Sequence, residues 1–259
     1  MTLKQQNKLV NIKMKRMNKI KSLYIHIPFC DSICDYCDFT KLLYNDRFAK
    51  EYLENLKREL KEYSPFFVET IYIGGGTPTS LPYDYLAMLL NEISFYASNV
   101  KEYTIEANPE NLTTEKLSLL KKFGVNRLSI GVQTTDDKIS KFINRNHTFS
   151  QVREAIKKAR EIGFENINVD LIIGLPNVTK AMFINDLENV VSLGVDHISC
   201  YSLTVHPNTV FFNKKIDEPN PEFARELYDY AHEYLASKGY IHYEVSNWAK
   251  NGKFSQHNL

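Results

Sequence analysis

The sequence predicts an α/β protein in which parallel strands and helices alternate to form a partial, TIM-like (β/α)6 barrel. The period of the apolar residues switches repeatedly between two and 3.6, which is typical of strands that alternate with helices. One face of four predicted strands is polar, although buried parallel strands are normally apolar on both faces. This polar face indicates a lumen that holds a ligand, because a fully packed eight-stranded barrel is filled mainly by branched apolar side chains.

Six strand–helix units follow one another along the chain, and right-handed crossovers are expected between their parallel strands. The predicted strands span residues 23–29, 70–73, 102–107, 127–132, 166–173 and 197–203, and a last strand-like run covers 240–245. The predicted helices span residues 46–62, 83–96, 114–124, 150–161, 179–193 and 221–238. Thr113 or Thr114 is the expected N-cap of the third helix, and a longer loop precedes the fourth.

The two faces of the third strand show the pattern most clearly. Tyr103 and Ile105 lie on one side, whereas Thr104 and Glu106 lie on the other. The first, fourth and fifth strands also place polar side chains opposite apolar ones. We therefore expect Glu106 and its counterparts on neighbouring strands to line one polar lumen.

The composition is that of an ordinary soluble globular chain, with 43% hydrophobic and 24% charged residues among 259. Its 32 basic and 31 acidic residues create no net field that would favour nucleic acid as a partner. No apolar run is long enough to span a bilayer, and we expect a cytoplasmic protein. Three of the four cysteines fall within eight residues, a pattern that indicates metal binding or catalysis more than disulfides.

The first 22 residues contain seven Lys or Arg and no acidic residue. They lack the apolar segment of a secretory signal, so we expect a disordered basic tail. Met17 is an alternative start. Residues 23–259 contain no linker, and we interpret them as one barrel domain with the start of a C-terminal extension.

The candidate metal ligands are Cys30, Cys34 and Cys37, which follow the first strand directly. Three thiolates in one loop supply three of the four iron ligands of a cubane cluster and leave one iron open. The alternative is a structural zinc site completed by His26, but zinc sites favour paired Cys-x-x-Cys elements. Cys200 stands alone and is expected to be a buried core residue.

A second group of candidates lies at the carboxyl ends of the strands, where barrel enzymes place their sites. The turn after strand two contains Gly75, Gly76 and Thr77, which allow a ligand to approach backbone amides closely. Residues on or just after strands three to six offer oxygen acceptors for hydroxyls and an amine: Glu106, Gln133, Asp170 and Thr204. Arg145 is suited to a carboxylate, with a surface arginine as the alternative.

The Cys-x-x-x-Cys-x-x-Cys spacing, with Tyr36 before the last cysteine, resembles the radical S-adenosylmethionine (radical SAM) superfamily. The resemblance implies a partial (β/α)6 barrel and a 4Fe–4S cluster held by the three cysteines. It also implies that S-adenosylmethionine chelates the open iron, and that one electron from the cluster cleaves it to a 5′-deoxyadenosyl radical.

Five motifs in order are similar to the oxygen-independent coproporphyrinogen III oxidase group within that superfamily. They begin at Tyr24, Gly74, Ile105, Gly131 and Asp170. By this resemblance, the residues that contact S-adenosylmethionine are Tyr24, Tyr36, Gly75, Gly76, Thr77, Glu106, Gln133, Arg145, Asp170 and Thr204.

Two departures separate the chain from the oxidases of that group. The oxidases have a fourth cysteine where this sequence has Phe39, and they carry a long segment before the first motif. The chain therefore looks like the HemW branch of haem chaperones, which carries a His-Asn motif that His257 matches as a candidate haem ligand. The branch also implies a further C-terminal domain, which this sequence lacks.

Haem as cargo, haem-accepting proteins as partners and transient contact with membrane-bound acceptors are what the HemW resemblance implies. An oxidase that decarboxylates the propionates of coproporphyrinogen III is the second hypothesis. A cluster-free hydrolase or a zinc-containing binding module is the third, and no nucleophile–base pattern supports it. We interpret the chain as a chaperone in preference to a coproporphyrinogen dehydrogenase.

Overall fold

The computed structural model describes residues 21–62 and 68–259. Six strands pair in parallel and in chain order, and two short antiparallel strands complete an eight-stranded sheet. The strands are β1 Ser22–Ile27, β2 Phe29–Cys30, β3 Leu42–Leu43, β4 Thr70–Gly75, β5 Glu102–Ala107, β6 Arg127–Gln133, β7 Ile167–Ile173, β8 His197–Ser202, β9 Ile241–Glu244 and β10 Asn247–Ala249. The order across the sheet is β1-β4-β5-β6-β7-β8-β10-β9, and β2 pairs separately with β3.

Helices connect the parallel strands and cover the outside of the sheet. They are α1 Asp46–Glu62, α2 Tyr83–Ile93, α3 Thr114–Lys122, α4 Asp137–Phe142, α5 Phe149–Glu161, α6 Lys180–Ser192, α7 Val210–Asn213 and α8 Pro221–Ser237. Thr113 caps α3 by accepting a hydrogen bond from the Lys116 amide, as predicted. Thr148 and Gln151 form a reciprocal capping box that fixes the start of α5.

The predicted α/β fold with a mostly parallel sheet is confirmed, and helix α1 has the predicted bounds. Sequence reasoning missed α4 and α7, which have six and four residues, because such short helices show no measurable period. The run at 240–245 is β9, and it forms a hairpin with β10 rather than a seventh parallel strand. The tail predicted for residues 1–22 lies outside the described residues, apart from its last two positions, where Ser22 begins β1.

The two faces of the parallel strands have opposite characters, as the sequence predicts. Ile73, Ile105 and Leu128 are fully buried on the outer face, where they pack in one apolar core with residues of the helices. Thr104 and Ser129 lie on the inner face, within the curve of the sheet. The apolar core therefore lies between the sheet and the helices, and polar side chains line the lumen.

In the part of the chain that the structure describes, no helix is long and apolar enough to cross a bilayer.

Candidate cofactor-binding site

A cavity of about 320 Å³ opens at the carboxyl ends of the parallel strands. This is the edge of the sheet where (β/α) barrels bind their ligands. Twelve of the fourteen residues singled out in the sequence line it: Cys30, Cys34, Tyr36, Cys37, Gly75, Gly76, Thr77, Glu106, Gln133, Arg145, Asp170 and Thr204. The other two, Tyr24 and His257, lie outside this lining.

The cysteine loop is held by a backbone hydrogen bond at its start and by a turn within it. The Tyr44 amide donates to the Cys30 carbonyl at 2.8 Å, and the Cys37 amide donates to the Cys34 carbonyl at 3.1 Å. The loop packs so closely on the turn after β4 that a Cβ atom at Gly76 would lie 2.8 Å from Cys30 Sγ. Glycine is needed here because the turn and the loop are in backbone contact.

The chemistry of this donor set fits an iron–sulfur cluster. Thr77 Oγ1 donates to Cys30 Sγ at 3.7 Å, and Arg145 Nη1 donates to Cys34 Sγ at 3.5 Å. Burial raises the pKa of the Cys30 thiol to about 11 and also raises that of Cys37. Cluster binding must therefore displace protons from these thiols, as metal binding to cysteine generally does.

The zinc alternative finds no support in the described residues. No group of three or more His, Cys, Asp or Glu side chains there is arranged to hold one metal ion. His26 would be the fourth zinc ligand, but its Nδ1 lies 3.1 Å from the Tyr24 hydroxyl and its Nε2 lies 2.8 Å from the Thr40 carbonyl. A cubane cluster does not require its cysteines to converge on one ion, because each cysteine binds a different iron atom. Cys200 is buried in the core, as predicted.

Glu106 is the acidic group closest to the glycine turn. Its carboxylate accepts hydrogen bonds from the Tyr72 hydroxyl at 2.8 Å and the Gly75 amide at 3.0 Å. Burial raises the pKa of Glu106 to about 7, and the neighbouring Asp170 adds to this shift. Glu106 can therefore exchange a proton near neutral pH and, once it is ionised, accept hydrogen bonds from an amine.

Asp170 belongs to a polar network on the inner faces of β6, β7 and β8. Its carboxylate accepts hydrogen bonds from Asn168 at 2.7 Å and from Ser129 at 3.5 Å, and Asn168 is also bonded to His197 at 2.6 Å. Burial raises the pKa of Asp170 as well. The network fixes a carboxylate in the upper part of the lumen, where it can accept hydrogen bonds from hydroxyl groups.

Gln133 enters the cavity through an irregularity in β6. The register with β7 shifts between Gly131 and Gln133, and Gln133 has a φ of 72°. Such bulges redirect a side chain, and positive φ in a residue other than glycine is common at binding sites. Arg145 lies alongside, with its guanidinium donating to the Gly131 carbonyl. Arg145 is thus a cavity residue and not the surface arginine of the alternative interpretation.

The two residues outside the lining lie in different places. Tyr24 is half-exposed, and its ring stacks on Tyr72 with centroids 6.0 Å apart, so it borders the site through that ring. His257 lies at the amino ends of the strands, where its Nδ1 is 2.9 Å from Thr70 Oγ1 and its amide donates to Glu102. Its ring packs on Tyr72 with centroids 5.2 Å apart, so His257 borders the cavity through that tyrosine but does not line it.

Sequence reasoning missed three residues that support the site. Tyr72 bonds to Glu106, the Asn108 amide donates to Thr77 Oγ1 at 3.3 Å, and Arg127 is a lumen cation that is only 2% exposed. Their positions were available in the pattern, because Arg127 has the same parity in β6 as Ser129, and Tyr72 the same parity in β4 as Gly74.

A (β/α) barrel with a cysteine-lined cavity at the carboxyl ends of its strands is the arrangement expected of the radical SAM class. The chain belongs to the radical SAM superfamily, whose family model matches residues 24–190.

Within the superfamily the chain is similar to the HemW and HemN group. It is 43% identical to the heme chaperone HemW of Bacillus subtilis over 252 residues, which cover 93% of this chain and 66% of that protein. It is 34% identical to the heme chaperone HemW of Escherichia coli, with 92% and 65% covered. The solved coproporphyrinogen III oxidase (HemN) of E. coli superposes with a TM-score of 0.82 at 28% identity, covering 94% of this chain and 59% of that one. The chain thus spans between 59% and 66% of the length of these relatives.

Proposed function

We propose that this chain is a cytoplasmic, HemW-like haem chaperone that binds a 4Fe–4S cluster and S-adenosylmethionine and passes haem to acceptor proteins. The observation that supports the cofactor part is the shared cavity, since three cysteines of one loop and nine of the ten proposed S-adenosylmethionine contacts line it. The haem part is supported by similarity to proteins named heme chaperone. We further propose that residues 23–259 act as one barrel unit, which limited proteolysis would test.

Each cavity residue has a proposed role that follows from its charge and its hydrogen-bonding groups. Cys30, Cys34 and Cys37 would hold the cluster, which would leave one iron open to the amine and carboxylate of S-adenosylmethionine and would supply an electron. Ionised Glu106 is suited to accept from the amine, and Arg145 supplies a cation for the carboxylate. Asp170 and Gln133 offer acceptors for the ribose hydroxyls. The half-exposed Tyr24 completes the proposed set beside Tyr72.

Anaerobic reconstitution with iron and sulfide tests the cofactor part. We expect about four irons per chain and an electron paramagnetic resonance signal of the reduced cluster that shifts when S-adenosylmethionine is added. The Cys30→Ala, Cys34→Ala and Cys37→Ala variants should each lose the cluster, whereas Cys200→Ala, in the core, should keep it. Stoichiometric iron in the three variants would refute the assignment of the ligands.

Titration with ferric haem tests the chaperone part separately. We expect a Soret band that saturates near one haem per chain, followed by loss of that band when a haem-free acceptor protein is added. Contact with a membrane-bound acceptor would be transient, because the chain would dissociate from the acceptor once the haem had been transferred to it. A chain that binds the cluster but no haem would refute the chaperone function and leave the cofactor site standing.

The second candidate function is oxidative decarboxylation of coproporphyrinogen III. The superposition on HemN favours it, whereas Phe39 in place of the oxidases' fourth cysteine counts against it. Anaerobic turnover of coproporphyrinogen III to protoporphyrinogen would establish this activity. We expect no turnover from a chain whose cluster is intact and reducible.

A further inference from the structure

The haem of the proposed function needs an axial ligand and a surface to lie on, and the inference that follows rests on that function. The cavity of about 320 Å³ is at the small end of the range for ligand sites, and the proposed cluster and S-adenosylmethionine already occupy it. Haem therefore needs a surface outside this cavity, and the mouth of the cavity is the surface next to the proposed cluster. Histidine is a common axial ligand of haem, so the seven histidines of the chain can be compared one by one.

Three histidines are excluded because hydrogen bonds engage both of their ring nitrogens. They are His26, between Tyr24 and Thr40; His147, between Glu110 and Val132; and His197, between Asn168 and Tyr243. Each would have to break an internal contact before it could bind iron. The ring nitrogens of these three histidines form hydrogen bonds that stabilise the loops and the lumen.

Three further histidines do not line the cavity. His257 is at the amino ends of the strands, where it contacts Thr70 and packs on the inner side of Tyr72 with ring centroids 5.2 Å apart, so Tyr72 lies between it and the cavity. His242 stacks on Trp248 with ring centroids 4.5 Å apart, and His232 packs edge-on against His242 at 5.0 Å. None of the three belongs to the cavity lining.

His206 is the remaining histidine, and it lines the mouth of the cavity on the loop that follows β8. Its side chain is 47% exposed, and its Nε2 lies 3.3 Å from Asp38 Oδ2. Within the described residues no hydrogen bond engages Nδ1, which leaves that nitrogen open to a ligand. Histidines that bind metals usually present one nitrogen to the metal and the other to a carboxylate or carbonyl.

The cysteine loop supplies an apolar surface beside this pair. Phe39 follows Asp38 in the chain, lines the same mouth and is 68% exposed. Its exposed ring offers a flat apolar face on which an aromatic ligand can stack. Lys41 also lines the mouth; its amine donates to the Cys37 carbonyl and keeps further donors for an anion.

We propose that haem docks at this mouth against Phe39, with His206 as axial ligand, Asp38 orienting the imidazole and Lys41 near a propionate. The open imidazole nitrogen gives its lone pair to iron in place of a bound water molecule. The proton on the other nitrogen stays directed at Asp38, and no electron is transferred. This assignment differs from the one that the family resemblance implies, in which His257 is the haem ligand.

Titration of the cluster- and S-adenosylmethionine-loaded protein with ferric haem tests the proposal. We expect His206→Ala to shift the Soret maximum and to raise the Kd at least tenfold. Asp38→Asn should raise the Kd about tenfold, the effect typical of removing the partner of a metal-bound histidine. Phe39→Ser should weaken binding without moving the Soret maximum, because the iron keeps its ligand. His232→Ala is the matched control and should titrate like the unaltered chain.

The outcomes separate this proposal from the function on which it rests. If the unaltered chain binds no haem, the chaperone function fails and this site fails with it. If the unaltered chain binds haem and His206→Ala shows the same spectrum and Kd, the site alone is refuted. A spectrum changed by His257→Ala and not by His206→Ala would refute it in favour of the other end of the barrel. Because His206 is half-exposed, an unchanged melting temperature should accompany its substitution.

Discussion

Glu106 is the residue at which stability and ligand binding oppose each other. Burial raises its pKa to about 7, so the ionised form, which accepts hydrogen bonds from an amine most strongly, predominates only above that pH. We expect S-adenosylmethionine to bind about tenfold more weakly at pH 6 than at pH 8, because one unit below the pKa a tenth of the carboxyl is ionised. Equilibrium binding to the reconstituted protein across this range measures the effect. Glu106→Gln should bind weakly and without the pH dependence; an unchanged profile in that variant would contradict the role.

The raised pKa of Glu106 also affects the stability of the fold, and here a rise in pH is unfavourable, whereas it favours ligand binding. A carboxyl whose pKa is raised by folding holds its proton more tightly in the folded state, so stability falls as pH rises from about 4.5 to 7. Glu106→Gln removes this penalty. At pH 8 the cofactor-free variant should therefore melt about 2–4 °C higher, which corresponds to roughly 1 kcal/mol in a chain of this size. At pH 4.5 the two melting temperatures should agree.

Arg127 provides the positive charge that opposes this burial effect. It is 2% exposed in the lumen, its Nε has no hydrogen-bond partner among the described residues, and it lowers the pKa of Glu106 and Asp170. In Arg127→Met, we expect the pH midpoint of S-adenosylmethionine binding to rise by on the order of one unit. Arg127→Lys, which keeps the charge, should stay near the original midpoint. Equal midpoints in all three proteins would show that Arg127 does not act on Glu106.

At the scale of elements, long periodic segments were predictable from the sequence, and local irregularities were not. Strand β5 and helix α1 have the predicted bounds because alternation and amphipathic spacing extend over their whole length. The bulge that turns Gln133 into the cavity leaves no such trace, since it depends on pairing with β7. Side-chain parity predicted the cavity face, but the contact between Asp38 and His206 joins two loops that no pattern relates.

The contact between the glycine turn and the cysteine loop leads to a prediction about the cluster. A Cβ atom at Gly76 would lie 2.7 Å from the Pro28 carbonyl and 2.8 Å from Cys30 Sγ, distances that force the backbone apart. We expect Gly76→Ala to reduce iron loading several-fold while the circular dichroism of the helices is retained. Gly124→Ala is the control: among the described residues no atom beyond its chain neighbours lies within 4 Å of its Cβ position, so it should lose a little stability and keep full iron loading.

At the scale of the whole molecule, the barrel has two ends with different tasks. The carboxyl ends of the strands surround the candidate site, and the segment at 255–257 lies across the amino ends. The sequence placed His257 in a haem-binding motif by resemblance, yet the position of that segment depends on packing against β4 and β5. Ser255 and Glu102 are buried, and the segment covers this end of β5 through its hydrogen bonds to Glu102.

This closure predicts that the lower end of the barrel contributes stability and not cofactor binding. The Gln256 and His257 amides donate to the Glu102 carboxylate at 2.9 and 3.1 Å, and Glu102 is only 3% exposed. Deleting residues 255–259 removes both donors, so the free energy of unfolding should fall by about 1–3 kcal/mol. Glu102→Gln should cost less in the shortened chain than in the full one, because the charge no longer has donors to lose. Denaturant unfolding measures both effects, and iron loading should not change.

A shortened chain of equal stability would show that the segment covers this end without stabilising the fold. Loss of iron from the shortened chain would show that the two ends of the barrel are coupled.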